Sequence, residues 1–519
     1  MKAFIFVSAI LLVFPFYSFA GEIQVKNARI DEINNQKKYA FISFDVSWEN
    51  SWRSDITGMG YAEPYNYDAA WVFVKFRDKA GRFRHASLSA ISKSHRSDGK
   101  AAISASRDGR GVFVYSAKNF SGPADYKGIK LKWNFGSDNI DINQDTEIRV
   151  LAVEMVFIPG GSFYAGDGGS YGSFFNTRQG VPALVSQEPV LLKASSNSFD
   201  DGALSNEGVW VSGTSGIRSK DGDFENPEFP TGYGAFYVMK YEISQGEYAG
   251  FLNLISAGQS HGRDLNAEGQ YRNTITFNGR QFVAKRPKRA CNFLSWMDGA
   301  AYADWTGMRP MTELEFEKAC RGYNSNTNDA NLPVKNEYAW NDDSIAAAGV
   351  IAGTEDGSES VNGNAAFDNV TYKGGDGLYG PLGCGVFEKP GPRNLSGKSY
   401  YGVCELSGNL SEQCVTLGNT AGRSFMGNDG DGVLTETGEA DESSWPGING
   451  NADEDKANLK YIGNIVESPG ITAAAGSGQR GGNWYTRKTF LMISDRAFAS
   501  HPSGRRSEYA GFRCVKYAQ

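Results

Sequence analysis

Short runs in which large apolar residues alternate with smaller or polar ones dominate the chain from residue 21 to about 150. This period of two is typical of half-buried β-strands, because successive side chains of a strand point to opposite faces. The clearest runs are residues 39–48, 70–76, 111–115, 129–133 and 147–153. They predict an all-β, sandwich-like domain over residues 21–150. No motif in this region carries chemistry, which favours a structural or docking role over ligand binding.

The apolar spacing becomes helical further along the chain. Aromatic and aliphatic residues recur at helix spacing in residues 241–252 and 294–305, and both stretches are interpreted as core-facing. A third helix is predicted after Pro310, because Thr312 and Glu315 have the spacing of a capping box.

Three stretches are predicted to be insertions, near residues 166–232, 259–288 and 417–476. The second contains Asn278-Gly279 between apolar runs, which predicts a hairpin with a type I′ turn. The third carries acidic runs at 428–432 and 439–442. These lack the final glutamate and flanking helices of an EF-hand, so a solvated loop is favoured over a calcium site.

The first twenty residues have the pattern of a secretory signal peptide. Lys2 precedes an apolar run over residues 3–16, and small residues follow at Ser18 and Ala20. The run is short for a membrane span, so we expect a secreted, periplasmic or cell-surface protein without one. The net charge of −7 gives no general attraction to nucleic acid.

Six cysteines and four histidines limit the available chemistry. An even number of cysteines in an exported chain favours disulfides, but the sequence alone leaves fifteen pairings open. The histidines are scattered without the spacing of metal ligands, so no catalytic constellation is predicted from them.

Five landmarks occur in order across the rest of the chain. They are residues 155–163, 241–252, 294–305, 309–322 and a closing stretch from Arg480-Gly481-Gly482-Asn483-Trp484 to Gly511-Phe512-Arg513-Cys514-Val515. Together they resemble the formylglycine-generating, or sulfatase-modifying factor, family, a variant of the C-type-lectin fold. The resemblance implies an α+β domain over residues 152–517 with the three insertions, preceded by the β-sandwich-like domain.

The positions that carry the family's oxidation chemistry are changed. The family's oxidase binds copper through two cysteines, and the matching positions are Thr486 and Leu491. Soft thiolates suit a cuprous ion, so no copper is expected here. The family's serine and tryptophan near the dioxygen pocket correspond to Asn483 and Ser411. The resemblance therefore implies that oxidation of a sulfatase cysteine is lost and that no catalytic residue remains.

The resemblance also implies calcium sites and one disulfide. The first calcium site maps onto Glu405, the carbonyls of Gly408 and Leu410, and Glu412, where hard oxygen ligands suit Ca²⁺. A second calcium site maps near Asn364, Ala365, Asp376 and Leu378. The family's bond between its third helix and closing strand corresponds to Cys320 and Cys514.

The favoured hypothesis is a non-oxidase family member that serves as a binding or cell-surface assembly module. Its partner would be a protein, peptide or glycan. The former substrate groove would be lined by Asn483, Tyr485, Thr486, Arg487, Lys488, Arg505, Arg506 and Tyr509. The alternatives are a formylglycine-generating oxidase and a displayed variable lectin-like receptor.

Overall fold

The structure is a computed structural model of the chain. It describes residues 23–54, 66–143, 145–167, 182–185, 192–194, 209–211, 226–321, 332–349, 351–352, 360–368, 379–389, 392–418, 420–448, 460–462, 465–467, 474–499, 502 and 504–518. The predicted signal peptide at 1–20 and most of the 166–232 insertion lie outside these ranges. Within the part of the chain described, no helix is both long and apolar enough to cross a bilayer.

Strands make up most of the regular structure. In the first third of the chain they are β1 (Gln24–Asn34), β2 (Tyr39–Ser54), β3 (Asn66–Arg77), β4 (Phe83–His85), β5 (Ala101–Ala105), β6 (Val112–Ser116), β7 (Phe120–Trp133) and β8 (Ile148–Ile158). The middle of the chain adds β9 (Phe163–Ala165), β10 (Ala183–Val185), β11 (Leu192–Ala194), β12 (Val209–Val211), β13 (Phe236–Met239), β14 (Ile275–Phe277), β15 (Phe282–Ala284) and β16 (Arg309–Pro310). The last part adds β17 (Ile351–Ala352), β18 (Ser360–Val361), β19 (Ser411–Val415), β20 (Lys460–Ile462), β21 (Ile465–Glu467), β22 (Ser477–Arg480), β23 (Ala510–Gly511) and β24 (Cys514–Tyr517).

The helices are short and mostly begin at a capped residue. They are α1 (Gln245–Leu252), α2 (Ala257–Arg263), α3 (Trp296–Trp305), α4 (Glu313–Cys320), α5 (Arg393–Ser396) and α6 (Thr420–Arg423), with 3₁₀ turns at Ser92–Ser94 and Lys488–Leu491. The Thr312/Glu315 capping box predicted for α4 is present, and α1, α2 and α3 begin with boxes of the same kind. These reciprocal hydrogen bonds satisfy backbone groups that a helix start would otherwise leave unpaired.

A continuous sheet joins the N-terminal region to the rest of the molecule. Its order is β1-β2-β3-β8-β13-β24-β16, and β3 pairs with β8 from Asp68↔Val156 to Phe76↔Ile148. Residue 150, where the sequence places a domain boundary, lies inside β8. The N-terminal region is β-rich as predicted, but it shares this sheet with the family domain.

The hydrophobic core follows the same continuity. The paired strands β1, β2 and β7 form a layer whose apolar residues meet those of β3, β6 and β8. One core cluster contains Trp48 and Trp133 of the N-terminal region together with Trp296 of α3 and Phe512 before β24. Phe73 of β3 contacts Trp305 of α3 with ring centroids 5.5 Å apart, so buried apolar surface joins the two regions directly.

The hairpin predicted in the second insertion is present, but its turn differs from the prediction. Beyond the last strand pair, Phe277 opposite Phe282, the Asn278 N–H donates to the Gln281 carbonyl at 3.0 Å. The tip residues are therefore Gly279 and Arg280, one position later than the predicted Asn278 and Gly279. The side-chain oxygen of Asn278 accepts hydrogen bonds from the backbone N–H groups of Arg280 and Gln281, as in an Asx-type turn.

The Cys320–Cys514 disulfide that the resemblance implies is not formed in this structure. All six cysteines are free thiols, and Cys320 packs in a cluster with Val515 while Cys514 belongs to the other cluster. Neighbouring residues of a strand point to opposite faces, so Cys514 and Val515 of β24 face different cores. Cys414, which the resemblance did not single out, shares the cluster of Cys320.

Candidate functional site

The Arg-Gly-Gly turn lies where its glycines are required by geometry. Gly481 and Gly482 have φ of 80° and 65°, in the left-handed region that favours glycine. A Cβ atom on Gly481 would lie 2.6 Å from the carbonyl oxygen of Leu406, and one on Gly482 would lie 2.6 Å from the Leu491 side chain. The turn therefore packs against the 405–412 loop, here called the calcium-like loop, on one side and against Leu491 on the other.

Arg480 fixes this turn to helix α4 through buried ion pairs. Its guanidinium contacts the Glu313 carboxylate at 3.0 Å and the Glu317 carboxylate at 2.7 Å. Arg496 also binds Glu313, at 2.7 Å. Burial alone would raise the pKa of Glu313, but the guanidinium groups of Arg496 and Arg480 hold that pKa below its ordinary value. The carboxylate is thus kept ionised beneath the turn.

The four positions that would carry oxidation chemistry meet at this turn. The Asn483 amide donates to the Ser411 hydroxyl at 2.9 Å, and the Thr486 hydroxyl donates to the Asn483 carbonyl at 3.0 Å. Leu491 is fully buried, with its methyl groups directed at Gly482 and Gly408. A leucine side chain has no donor atom, and a threonine hydroxyl is a poor ligand for a soft ion. These residues do not fit a copper ion.

The exposed side of the turn carries a cluster of aromatic rings, here called the aromatic platform and defined as Tyr271, Trp484, Tyr485 and Tyr509. Tyr485 stacks on Tyr509 with ring centroids 5.2 Å apart, and Trp484 lies beneath them, 5.3 Å from Tyr509. Tyr271 approaches Trp484 from the second insertion at 5.7 Å. Tyr485 is 53% exposed and Tyr271 43% exposed, while Trp484 is buried. The platform presents rigid ring faces to solvent on a buried base.

The predicted groove residues divide into three groups. Tyr485 and Tyr509 belong to the aromatic platform, and Arg487, Lys488 and Arg505 are exposed on the same segments of chain. Asn483 is buried and shapes the turn, with Thr486 bonded to its backbone.

Arg506 does not line the groove. Its guanidinium binds the Asp298 carboxylate at 2.9 Å and 3.0 Å and donates to the Gly262 carbonyl at 2.9 Å. Asp298 is fully buried and also receives Arg263 at 3.1 Å. Arg506 therefore ties the end of α2 to the start of α3, because a buried carboxylate requires paired donors. Tyr271, by contrast, belongs to the aromatic platform but was not predicted from the sequence. Nothing in its polar loop indicates that it lies beside Trp484.

The calcium-like loop gathers three buried carboxylates around one guanidinium. The Arg513 guanidinium contacts Glu412 at 2.8 Å, while one oxygen of Glu405 and one of Glu412 have no hydrogen-bond partner. Glu242 accepts hydrogen bonds from Asn409 and from the Leu410 backbone. Burial raises the pKa of Glu405 to about 7, and burial together with the neighbouring Glu412 charge raises the pKa of Glu242 well above its usual range.

These features fit a calcium ion. When all three carboxyl groups are ionised, they carry more negative charge than Arg513 balances, and a bound cation would offset that excess. Two orphaned buried oxygens belong to Glu405 and Glu412, the two side chains that the family resemblance assigns as ligands. Unpaired buried oxygens of this kind are costly in a folded protein, and hard oxygens are what Ca²⁺ prefers.

The second calcium position is only partly described. The Asn364 side chain accepts from the Ala346 N–H at 2.9 Å and donates to the Asn394 carbonyl at 2.7 Å. The carbonyl of Ala365 accepts the Ala348 N–H at 2.8 Å. Asp376 and Leu378 lie outside the described residues. Asn364 and Ala365 are thus engaged in holding neighbouring loops.

The acidic runs of the third insertion pack against helix α3. Carboxylate oxygens of Asp304, Asp431 and Asp441 all lie within 4.8 Å of one another. Asp304 accepts the backbone N–H groups of Asp431 and Asp441, each at 3.0 Å. Burial raises the pKa of Asp304 to about 7. Asp304 therefore serves as an anchor that ties both acidic runs to the core, and only part of the insertion is the solvated loop that the sequence predicts.

An α+β frame built around an Arg-Gly-Gly turn is the class of structure that these observations define, and sequence comparison agrees with it. The model of the sulfatase-modifying factor enzyme 1-like domain matches residues 143–518. The chain belongs to this family. The match begins a few residues before β8 and so takes in the whole of the strand that joins the two regions.

Two curated relatives are similar over a shorter stretch. The formylglycine-generating enzyme of Bos taurus is 28% identical over 142 residues, and that of Mus musculus is 26% identical over 142 residues. Each alignment covers 22% of this chain and 38% of the relative. The chain is thus matched to well under half the length of these relatives.

Proposed function

We propose that this chain is a non-oxidase member of the sulfatase-modifying factor family that acts as an exported binding or cell-surface assembly module. The observation that carries the proposal is the buried leucine at the second metal position. Leu491 fills the space between Gly482 and Gly408, and the Thr486 hydroxyl donates a hydrogen bond to the backbone carbonyl of Asn483. The residues described at that centre offer no thiolate to hold a cuprous ion.

The aromatic platform is the proposed binding surface. Tyr485 and Tyr509 are held in a stack by Trp484, so their faces are ordered before a partner arrives. Preorganised aromatic rings lose little conformational freedom on binding and are enriched at recognition sites. Exposed Arg487 and Lys488 follow directly in the chain and add charged donors at the rim. This chemistry suits a peptide, a protein loop or a glycan ring.

Calcium has a structural role in this proposal. Glu405 and Glu412, with the carbonyls of Gly408 and Leu410, would hold the ion. A bound Ca²⁺ would neutralise the excess negative charge and fix the loop against which Gly481 packs. The loop in turn positions Asn409, whose carbonyl accepts the Trp484 N–H at 2.8 Å. The proposed ion therefore supports the platform from beneath.

The binding proposal is tested by probing glycan and peptide arrays with the chain from residue 21 onwards. The test variant is Tyr271→Ala/Tyr485→Ala, which removes two exposed rings. Phe277→Ala is the matched control, because Phe277 is 54% exposed but lies on the β14–β15 hairpin. Ligands lost by the platform variant and kept by the control support the proposal. An unchanged array profile for both variants would reject the platform as the binding surface.

The similarity to formylglycine-generating enzymes favours a second candidate, an oxidase acting on a sulfatase cysteine. The two candidates differ in metal requirement. An oxidase needs copper or another redox ion and converts a cysteine-containing peptide to an aldehyde. Mass spectrometry of such a peptide after incubation with the copper-supplemented chain distinguishes the two.

A further inference from the structure

A cavity lies in the seam between the N-terminal strands, helices α2 and α3 and the third insertion, far in sequence from the Arg-Gly-Gly turn. We propose that this seam cavity binds a small hydroxylated anion, such as a sugar that carries a carboxylate, sulfate or phosphate group. Its volume is about 490 Å³, within the range typical of small-ligand sites. Its lining includes Arg82, Arg84, Arg110, Trp305 and Val433.

The walls of the cavity are fixed by buried hydrogen bonds. Lys75 donates from its ammonium group to the carbonyls of Trp305 at 2.6 Å and Gly432 at 3.1 Å. Asp304 accepts the Asp431 and Gly432 backbone N–H groups from the other side. The backbone of residues 431–432, which closes the cavity, therefore has both its N–H groups and a carbonyl fixed by buried side chains. The cavity is formed before any ligand binds.

Arginines supply the recognition chemistry. Arg84 is exposed on β4, and the contact described for its guanidinium is the Phe76 ring at 5.8 Å. Arg110 is half-buried and approaches the Asp431 carboxylate only at 3.9 Å, beyond hydrogen-bond length. Arg84 has no ion pair among the described contacts and Arg110 has only the long one to Asp431, so both guanidinium groups keep N–H donors for a carboxylate, sulfate or phosphate.

The other titratable groups facing the cavity do not oppose an anion strongly. Asp138 is satisfied by neutral donors, since it accepts from the Ser87 N–H and hydroxyl and from the Trp133 indole. Burial and the neighbouring Lys75 charge lower the pKa of His85 well below its ordinary value, so the imidazole is neutral. Asp431 is the remaining acid, and one of its oxygens accepts the Val433 N–H at 2.8 Å.

The uncharged residues of the lining indicate what the rest of the ligand, apart from its anionic group, should be. Serine and glutamine side chains after β4, in the 134–138 turn and at the start of α2 line the cavity: Ser87, Ser137, Ser256 and Gln259. Apolar side chains supply the rest of the lining: Phe83, Ile255, Trp305, Val433 and Leu434. Walls that combine hydroxyl and amide groups with aromatic and aliphatic surface match a sugar ring better than an apolar acid. The arginines and the hydroxyls together select an acidic sugar.

Titration calorimetry on the chain from residue 21 onwards tests the proposal with four probes: glucuronate, glucose 6-sulfate, glucose 6-phosphate and neutral glucose. At least one acidic sugar is expected to bind, and glucose is expected to bind far more weakly. The three acidic probes distinguish carboxylate, sulfate and phosphate as the anionic group. Failure of all three to bind at concentrations up to about 10 mM would overturn the proposal.

Variants locate the binding. Arg84→Ala/Arg110→Ala is expected to weaken the acidic sugar by about tenfold or more, the scale of losing charged hydrogen bonds. Arg286→Ala, an exposed arginine outside the cavity, serves as the control and leaves affinity unchanged. If the double variant fails to fold by circular dichroism, Arg84→Glu replaces it, because Arg84 is exposed. Equal affinity in a folded cavity variant would overturn the proposal.

Asp431→Asn gives a test in the opposite direction. The amide keeps an oxygen that can accept the Val433 N–H but removes the negative charge 3.9 Å from Arg110. An anionic ligand is then expected to bind more tightly, whereas a cation held by Asp304, Asp431 and Asp441 would bind more weakly. Weaker binding of the acidic sugar to this variant would contradict the proposal.

Discussion

The two sides of the Arg-Gly-Gly turn differ in what they retain. Beneath the turn, Arg480 makes paired contacts with Glu313 and Glu317, and all three side chains are fully buried. Above it, the positions of the family's two cysteines hold Thr486 and Leu491, beside exposed Tyr485. The buried frame depends on charges that cannot be removed singly, whereas the exposed Tyr485 ring can be replaced with little effect on the fold. This difference is what the proposed non-oxidase role rests on.

Removing the buried Arg480 guanidinium should lower the free energy of unfolding more than any other change to the two sides of the turn. Arg480→Ala leaves Glu313 and Glu317 with fewer buried partners, and losing one member of such a network costs about 3–5 kcal/mol. Urea unfolding followed by circular dichroism measures the loss. The exposed Arg487→Ala is the control and should change the free energy of unfolding by less than about 0.5 kcal/mol. Equal small effects would show that the frame does not depend on the ion pairs.

Leu491→Ala should have the next largest effect. Leu491 is fully buried against Gly482 and Gly408, so truncation leaves a cavity and costs about 2–5 kcal/mol. Leu395→Ala, at a leucine that is 54% exposed, is the matched control. If Leu491→Ala were as mild as Leu395→Ala, the packed leucine would not be part of the turn's support.

The calcium loop predicts a pH dependence. Burial raises the pKa of Glu405 to about 7 in the folded chain, above its ordinary value of 4.5. An acid whose pKa rises on folding favours the folded state while protonated, so this contribution is present at low pH and lost as the pH rises from about 4.5 to about 7. In calcium-free buffer, the melting temperature should therefore fall less between about pH 4.5 and about pH 7 for Glu405→Gln than for the natural chain.

Added calcium should compensate for this loss. The rise in melting temperature on adding Ca²⁺ is expected to be larger near pH 8 than near pH 5, because only ionised carboxylates bind the ion well. Glu436→Gln, an exposed acid in the third insertion, should behave as the natural chain does. A calcium effect that is independent of pH, or is unchanged in Glu405→Gln, would contradict calcium binding at this loop.

Truncation of the aromatic platform should have the smallest effect on stability. Tyr485→Ala removes a ring that is about half exposed, and the cost in unfolding free energy should be no more than about 1 kcal/mol. Urea unfolding checks this value beside that for Leu491→Ala. A loss as large as that of Leu491→Ala would make Tyr485 part of the core and remove it from the proposed surface.

The sequence predicted most of the regular structure because the local signals agree with the fold. The alternating runs became β2, β3, β6, β7 and β8, and the Thr312/Glu315 box begins α4 as expected. The sequence did not reveal that β3 pairs with β8 and merges two regions into one sheet. Pairing partners are set by tertiary contacts, and the periodicity of a strand does not name its neighbour.

The candidate site was predicted less completely. In the structure, Thr486 and Leu491 lie beside Gly482, and Leu406, which follows Glu405, lies beside Gly481. Contacts between distant segments were missed: Tyr271 joins the platform, and Asp304 meets the acidic runs of the third insertion. Arg506 is predicted to line the groove, but buried Asp298 holds its guanidinium. In each of these cases the contact depends on the direction of a side chain in the folded protein, which the sequence pattern does not specify.

The central claim is that replacing both metal-binding thiols has removed the oxidase from an intact scaffold. The most direct measurement combines copper analysis of the copper-supplemented, dialysed chain with mass spectrometry of a cysteine-containing sulfatase peptide incubated with it. The expected result is no stoichiometric copper and an unchanged cysteine. Retained copper with repeated conversion of the peptide cysteine to an aldehyde would contradict the claim.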